Sequence, residues 1–297
     1  MKKLVLTTIV VISMMAIALT VEAKINVVAS TQDIAAIATE VGGDAINVDY
    51  ICRGTANPHS VELLPSYMMK VSRAKLYLKL GVGLDYWATP IIDGSRNSEL
   101  KIVDCSQGVH ILDVPTGKID ASMGDVHPEG NPHYWLNPEN GKTIAENIRD
   151  GLIEVDPTNE KVYRDGCQAF ETKLIGKIVQ WKERAKPLQG MAIVTFHESW
   201  PYFADAFGLK VVGFVEPKPG IEPTPSHTAE LVKLIKAQNV KIIAREPYFS
   251  DKTPNSIAAM TGANSLVLPP SVGGSPEIKT YFDLFDKLIG ELLAANQ

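Results

Sequence analysis

Cysteine is scarce in this 297-residue chain and follows no pattern. Three are present, Cys52, Cys105 and Cys167. The odd count leaves at least one without an internal partner. None belongs to a CxxC pair, so neither a cysteine metal site nor a disulfide framework is encoded. They read as small buried apolar residues, with a Cys52–Cys105 disulfide as the lesser alternative. Basic runs are missing after residue 3, and the formal net charge is −5. That balance argues against a nucleic-acid partner, which needs a basic patch or stripe. No repeat or low-complexity segment supports an adhesive or structural role. The HExxH pair of metalloproteases is also absent. Histidine itself is rare, with six in the chain.

What is present begins at the amino terminus. MKKLVLTTIVVISMMAIALTVEA has two lysines, an apolar run and a small-x-Ala ending. These are the three parts of a secretory signal peptide, expected over residues 1–23, with the mature chain starting near Lys24. The alternative is a retained membrane anchor, although the run, at about 17 residues, is short for a span. No cysteine lies near residue 23, which argues against a lipid-anchored mature terminus. The rest is globular, with 45% hydrophobic and 21% charged residues, and is long enough for two ordinary domains.

Short β-branched runs recur with helical patterns between them. INVVAS (25–30), NVDYIC (47–52), LYLKLG (76–81) and KIVDCS (101–106) form one set. AIVTFH (192–197), KVVGFV (210–215), KIIARE (241–246) and SLVLP (265–269) form another. Such runs suit buried parallel strands, and their alternation with helices indicates βαβ units. The expected fold is α/β: two similar (β/α)4 lobes with parallel sheets. Between the sets, Tyr163, Cys167, Phe170, Leu174, Ile178, Trp181 and Ala185 step by three or four, tracing one stripe of a long helix. Asp156-Pro157 starts it and Pro187 stops it. The expected division is an N-terminal lobe over 24–156, a rigid linking helix over 157–187 and a C-terminal lobe over 188–297.

The tripeptide Asn-Pro-His occurs twice, as Asn57-Pro58-His59 and Asn131-Pro132-His133. Proline fixes its own φ and pushes the preceding residue to an extended conformation. Each Asn-Pro pair therefore stiffens the loop that presents its imidazole. His59 and His133 follow strand runs of the first set, and His197 ends AIVTFH in the second. Ligands of open α/β sheets bind beyond the carboxyl ends of the strands, so all three belong to one expected cleft. Three neutral imidazoles suit Zn²⁺, Cu²⁺, Ni²⁺ or Fe²⁺ better than Mg²⁺ or Ca²⁺. Zinc takes a fourth ligand, water or a carboxylate.

Taken together, NPHSVELLPS, GNPHYWLNPENGKTIAENI, TFHESWPYFADAFGL and GIEPTPSHTAELVKLIKAQNVKIIAREPYFS resemble the zinc/manganese solute-binding proteins of ABC importers, across nearly all of the mature chain. The resemblance implies two (β/α)4 lobes joined by a rigid helix, with a metal buried between them and delivered to a membrane permease and its ATPase. It implies a monomeric periplasmic receptor rather than an enzyme. By position it makes His59, His133 and His197 metal ligands, and a histidine at the third place is typical of the zinc branch. The family's usual Asp ligand falls at Pro270, which has no side chain to ligate with. Glu246, at the end of KIIARE, is the candidate to replace it, with water or an outer-sphere role for Glu246 as the alternatives. The expected cargo is Zn²⁺, with Mn²⁺ or Fe²⁺ as alternatives, and a zinc-dependent hydrolase is the reading from another class. His127, with His110 more distant, reads as an exposed loop histidine or as a metal-capturing one near the mouth. His227 is expected to cap or flank a helix starting near Thr228. Glu198 is expected at a helix start, where the dipole favours negative charge.

Overall fold

The computed structural model describes residues 23–117, 124 and 127–296. Apart from Ala23, the expected signal peptide lies outside them. Among the described residues no helix is long and apolar enough to cross a membrane.

The first lobe alternates strands and helices. β1 (Ile25–Thr31) leads to α1 (Gln32–Gly42), β2 (Ile46–Cys52), α2 (Pro65–Val71), β3 (Leu76–Lys79), α3 (Ala88–Ser95), β4 (Lys101–Asp104) and α4 (Asn140–Val155). The strands pair in parallel in the order β2-β1-β3-β4. The neighbours Val27 and Val28, and Leu76 and Tyr77, are almost wholly buried in two separate apolar clusters, as expected for a sheet covered on both faces. Gly151 lets α4 lie close on this sheet, since a Cβ there would come 2.5 Å from Val103 Cγ2.

The second lobe repeats the plan. β5 (Ala192–Thr195), α6 (Pro201–Phe207), β6 (Lys210–Phe214), α7 (Pro225–Ala237), β7 (Ile242–Arg245), α8 (Lys252–Thr261), β8 (Asn264–Val267) and α9 (Tyr281–Ala295) follow in turn. The strand order is β6-β5-β7-β8, again all parallel. Each of the eight apolar runs is a strand, and the two lobes share one topology.

The long helix is α5 (Glu160–Arg184), about 37 Å of rod at 1.5 Å per residue. The Asp156 carboxylate receives Thr158 Oγ1 at 2.7 Å and Asn159 Nδ2 at 2.9 Å, which organises the turn before it. α5 is no free-standing strut. Its stripe residues Tyr163, Cys167, Phe170, Leu174 and Trp181 are buried in one apolar cluster that holds Ile34 and Ile148 of the first lobe and Phe203 and Phe285 of the second. Trp181 Nε1 donates to Asp286 of α9 at 2.9 Å, and Lys177 and Arg184 flank the same carboxylate.

A second seam joins the lobes at the cleft. Asp33 of α1 accepts the backbone N–H of Val272 at 2.8 Å. Burial pushes its carboxyl up to about 7, against hydrogen bonds from Val272 and Ser271. Gly54 lies so close to the Val272 carbonyl that a Cβ would sit 1.9 Å from it. Such shared packing favours small relative movements of the lobes over a wide hinge. The three cysteines are buried and unbridged.

Candidate metal centre

The two Asn-Pro-His loops fold alike at the backbone. Asn57 Oδ1 accepts the N–H of His59 at 3.0 Å, and Asn131 Oδ1 accepts that of His133 at 3.0 Å. Each asparagine thus closes an Asx turn that the following proline stiffens. Trp87 Nε1 donates to the Pro58 carbonyl at 2.8 Å and pins the first loop. Trp135 lies beside His133, with ring centroids 5.3 Å apart, and donates Nε1 to the Pro270 carbonyl at 2.9 Å. Pro270 therefore serves the site through its backbone, tying the segment after β8 to the second loop.

These loops and the end of β5 bring three histidines together. One ligand atom each from His59, His133 and His197 lies within 4.8 Å of the others. The Nε2 atoms of His59 and His133 are 3.1 Å apart. His133 and His197 are buried at 2% and 5% exposure, and His59 is half-buried. Two nitrogens on a tetrahedral zinc lie about 3.3 Å apart, given bonds of 2.0–2.1 Å, so the trio needs only a small contraction around an ion.

Each imidazole is also held from behind. Asn131 Oδ1 accepts from His133 Nδ1 at 2.9 Å, while its amide donates to the Glu198 carbonyl of the other lobe at 2.9 Å. His127 Nε2 lies 3.1 Å from His59 Nδ1. His197 Nδ1 donates to Glu216 Oε2 at 2.7 Å. A histidine bonded through Nδ1–H presents Nε2 with a free lone pair, the form a metal requires.

The electrostatics differ across the set. Burial pushes the pKa of His59 well below its ordinary value, helped by His197 and His127. Burial does the same to His133, helped by His59, His197 and His127. His197 is raised: burial pulls it down, but the Glu216 hydrogen bond and the charges of Glu246, Glu216 and Glu198 outweigh that pull.

The structure leaves Glu246 outside the group. It follows β7 and is wholly buried, but its Oε1 accepts Trp200 Nε1 at 3.0 Å, and its Oε2 finds no hydrogen-bond partner among the described residues. Burial pushes its carboxyl up, against the pull of His197. Glu198 lies three residues ahead of α6 rather than in its first turn. Its carboxyl is raised by burial and then by Asp113. Glu198 and Asp113 line a cavity of about 50 Å³ with His127, Asn131, His133 and His197, and Glu246 does not. His127 also walls a second cavity of about 210 Å³ with His59, Tyr86 and Trp87, so it stands against the site rather than loose in a loop. His227 sits in the first turn of α7, its N–H on the Thr224 cap at 3.2 Å and its ring on the Phe214 carbonyl at 2.9 Å. His110 is exposed.

Glu216 was not foreseen from the sequence. The signal available was EPKPG (216–220): an acid beyond a strand run, followed by prolines that stiffen its loop.

Residues 27–295 match the family described as zinc-uptake complex component A, periplasmic (ZnuA). The chain belongs to this family. It is similar to the manganese ABC transporter substrate-binding lipoprotein scaA of Streptococcus gordonii, 30% identical over 245 residues, covering 80% of this chain and 77% of that one. It is 24% identical over 252 residues to the zinc-binding lipoprotein AdcA of Streptococcus pneumoniae, covering 84% of this chain and 50% of AdcA. It is 24% identical over 271 residues to the iron-binding protein YfeA of Yersinia pestis, covering 90% and 84%. A crystal structure of ZnuA superposes with a TM-score of 0.80 at 25% identity, covering 93% of this chain and all of that one. The protein is therefore a substrate-binding receptor of a metal ABC transporter, working with a permease and an ATPase, and is not an enzyme.

Proposed function

We propose that this receptor captures Zn²⁺ in the periplasm between its two lobes and delivers it to the permease. His59, His133 and His197 are the protein ligands, and water takes the fourth position. The single observation that carries the reading is the trio of imidazoles within 4.8 Å, contributed by both lobes. Neutral nitrogen donors favour zinc over manganese, which prefers harder oxygen ligands. Glu246 lies outside the group of ligand atoms that the three histidines bring together. The cavity beside the trio, about 50 Å³, suits an ion and its water, whereas sites for small organic molecules run to roughly 300–1,000 Å³. A metal chelate or an ester substrate does not fit it. The protein acts as a monomer after removal of a leader over residues 1–23. Its working units are the lobes 24–156 and 188–297, held by the helix at 157–187.

The test is a melting experiment on metal-free protein at pH 7, with zinc or manganese added. Zinc should raise the melting temperature through binding to the folded state alone, and manganese should raise it less. His133→Ala should abolish the shift. Affinity should fall as pH drops, because imidazoles must be neutral to ligate. A wild-type protein that zinc does not stabilise would end this reading.

A further inference from the structure

The three imidazoles share one geometry but are supported by different chemistry. An amide oxygen backs His133 and the His127 imidazole backs His59. A carboxylate backs His197 at 2.7 Å. Glu216 and His197 are 7% and 5% exposed. A buried imidazole–carboxylate couple is a costly structural device, because taking both groups out of water offsets what their attraction returns. Apolar residues of similar volume would hold two strands together as well. The pair calls for another explanation.

Its geometry comes from the sheet. Parallel pairing continues past the ends of β5 and β6, with Val215 N–H on the Thr195 carbonyl at 2.8 Å and Glu216 N–H on the Phe196 carbonyl at 3.1 Å. The register between β5 and β6 shifts between Ile193 and Val194, which sets the residues that face each other beyond the strand ends. Glu216 precedes Pro217 and is biased to extended backbone. Its Oε2 also accepts the Gly220 N–H at 3.3 Å, so the loop it opens closes back on it. On its other side, His197 meets the Phe249 ring, centroids 5.7 Å apart, and Phe249 stacks on Phe196 at 4.5 Å. An apolar wall of this kind keeps water from weakening the imidazole–carboxylate bond.

We propose that Glu216 is the positioning residue of the metal centre: it fixes His197 with Nε2 bare and aimed at the cation, and lends the site negative charge through the imidazole. Three neutral histidines leave both charges of a divalent ion uncompensated in a cleft that is largely closed. A carboxylate bonded to the far side of a ligand raises that ligand's basicity and offsets part of the charge without occupying a coordination position. Such a site binds a borderline-soft cation such as Zn²⁺ tightly while leaving a position open to water. His197 is then the anchoring ligand, with its strand and its carboxylate both fixed before the ion arrives. The inference rests on the zinc-receptor reading above.

The test uses full-length mature protein stripped of metal, as wild type, Glu216→Gln and Glu216→Ala. Zinc affinity is read by competition with a chromophoric chelator, and Co²⁺ is added separately as a probe whose visible absorption reports coordination geometry. Melting of the metal-free forms checks the fold. Glu216→Gln keeps a hydrogen-bond acceptor and removes the charge. It should lose about 10- to 100-fold in zinc affinity, with metal-free melting unchanged and the cobalt bands shifted. Glu216→Ala should lose more and give a weaker, broader cobalt spectrum, because His197 is then also free to turn. Zinc affinity within about threefold of wild type in both variants, with an unchanged cobalt spectrum, would overturn the proposal. So would affinity losses that merely track a lowered melting temperature while the cobalt spectrum stays as in wild type. A wild-type protein that binds neither metal would remove the receptor reading itself, a result distinct from either.

Discussion

The two lobes have the same strand order but present their histidines in opposite ways. Lobe one offers His59 and His133 from loops, each carried by an Asx turn and a proline. Lobe two offers His197 two residues past the end of β5, next to Phe196, whose backbone pairs with Ala244 and Glu216, and with its own carbonyl accepting Thr195 Oγ1 at 2.8 Å. The supports match this division: an imidazole and an amide behind the loop histidines, a carboxylate behind the strand histidine. A loop ligand needs local stiffening because nothing else limits its conformational freedom. A strand ligand is already placed and needs only its tautomer and its charge environment set.

The comparison has a second level inside lobe one, where the twin tripeptides diverge. Asn57 Oδ1 accepts the backbone N–H of His59 at 3.0 Å. Asn131 bonds the backbone and the ring of His133 and also reaches across the cleft to the Glu198 carbonyl. The largest expected difference follows. Asn131→Ala should weaken zinc binding about 10- to 100-fold, as loss of a group orienting a ligand does. Asn57→Ala loses one turn hydrogen bond worth about 1 kcal/mol, roughly a fivefold effect. Zinc titration of the two variants side by side checks this, and equal losses would mean that the two loops are equivalent after all.

A smaller effect separates the lobes by pH. His59 and His133 have pKa values lowered in the folded state. The unfolded chain then takes up protons that the fold refuses, so their contribution to stability is lost as pH falls below about 6.5. His197 is raised, so its contribution is present below about 6.5 and is lost as pH rises through its folded value. His133→Gln should therefore flatten the acid side of the stability–pH curve of metal-free protein, and His197→Gln should flatten the other side. Urea unfolding between pH 5 and 8 with a chelator present measures both. Parallel shifts of the whole curve in either variant would contradict the assignment.

Much of this was legible in the sequence, for definite reasons. Buried parallel strands are continuous β-branched runs, so all eight could be read, from INVVAS to SLVLP. The Asn-Pro pairs marked stiff loops, and His197 lay at a strand end where open sheets bind ligands. Glu216 was not legible, because its meeting with His197 depends on the β5–β6 register shift at Ile193/Val194. Sequence spacing does not encode such a shift. The role of His127 escaped because a residue far along the chain, His59, is what holds it in place. The way α5 lies along lobe one could not be read from its stripe, which says that one face is buried but not against what.

Glu246 is where position in the chain suggested more than the fold delivers. It ends its strand run as His197 ends another, and that symmetry made it a candidate ligand. The fold turns the carboxylate toward Trp200 instead, and burial pushes its carboxyl up. A carboxylate engaged with Trp200 and outside the imidazole trio lends little to a cation. Glu246→Gln, which preserves the acceptor for Trp200, should thus change zinc affinity less than about threefold, well short of the 10- to 100-fold expected where an outer-sphere group supports a ligand. Calorimetric or competition titration at pH 7 decides the matter. A fall of 100-fold or more would mean that the carboxylate reaches the ion, and lobe two would then supply two ligands rather than one ligand and its support.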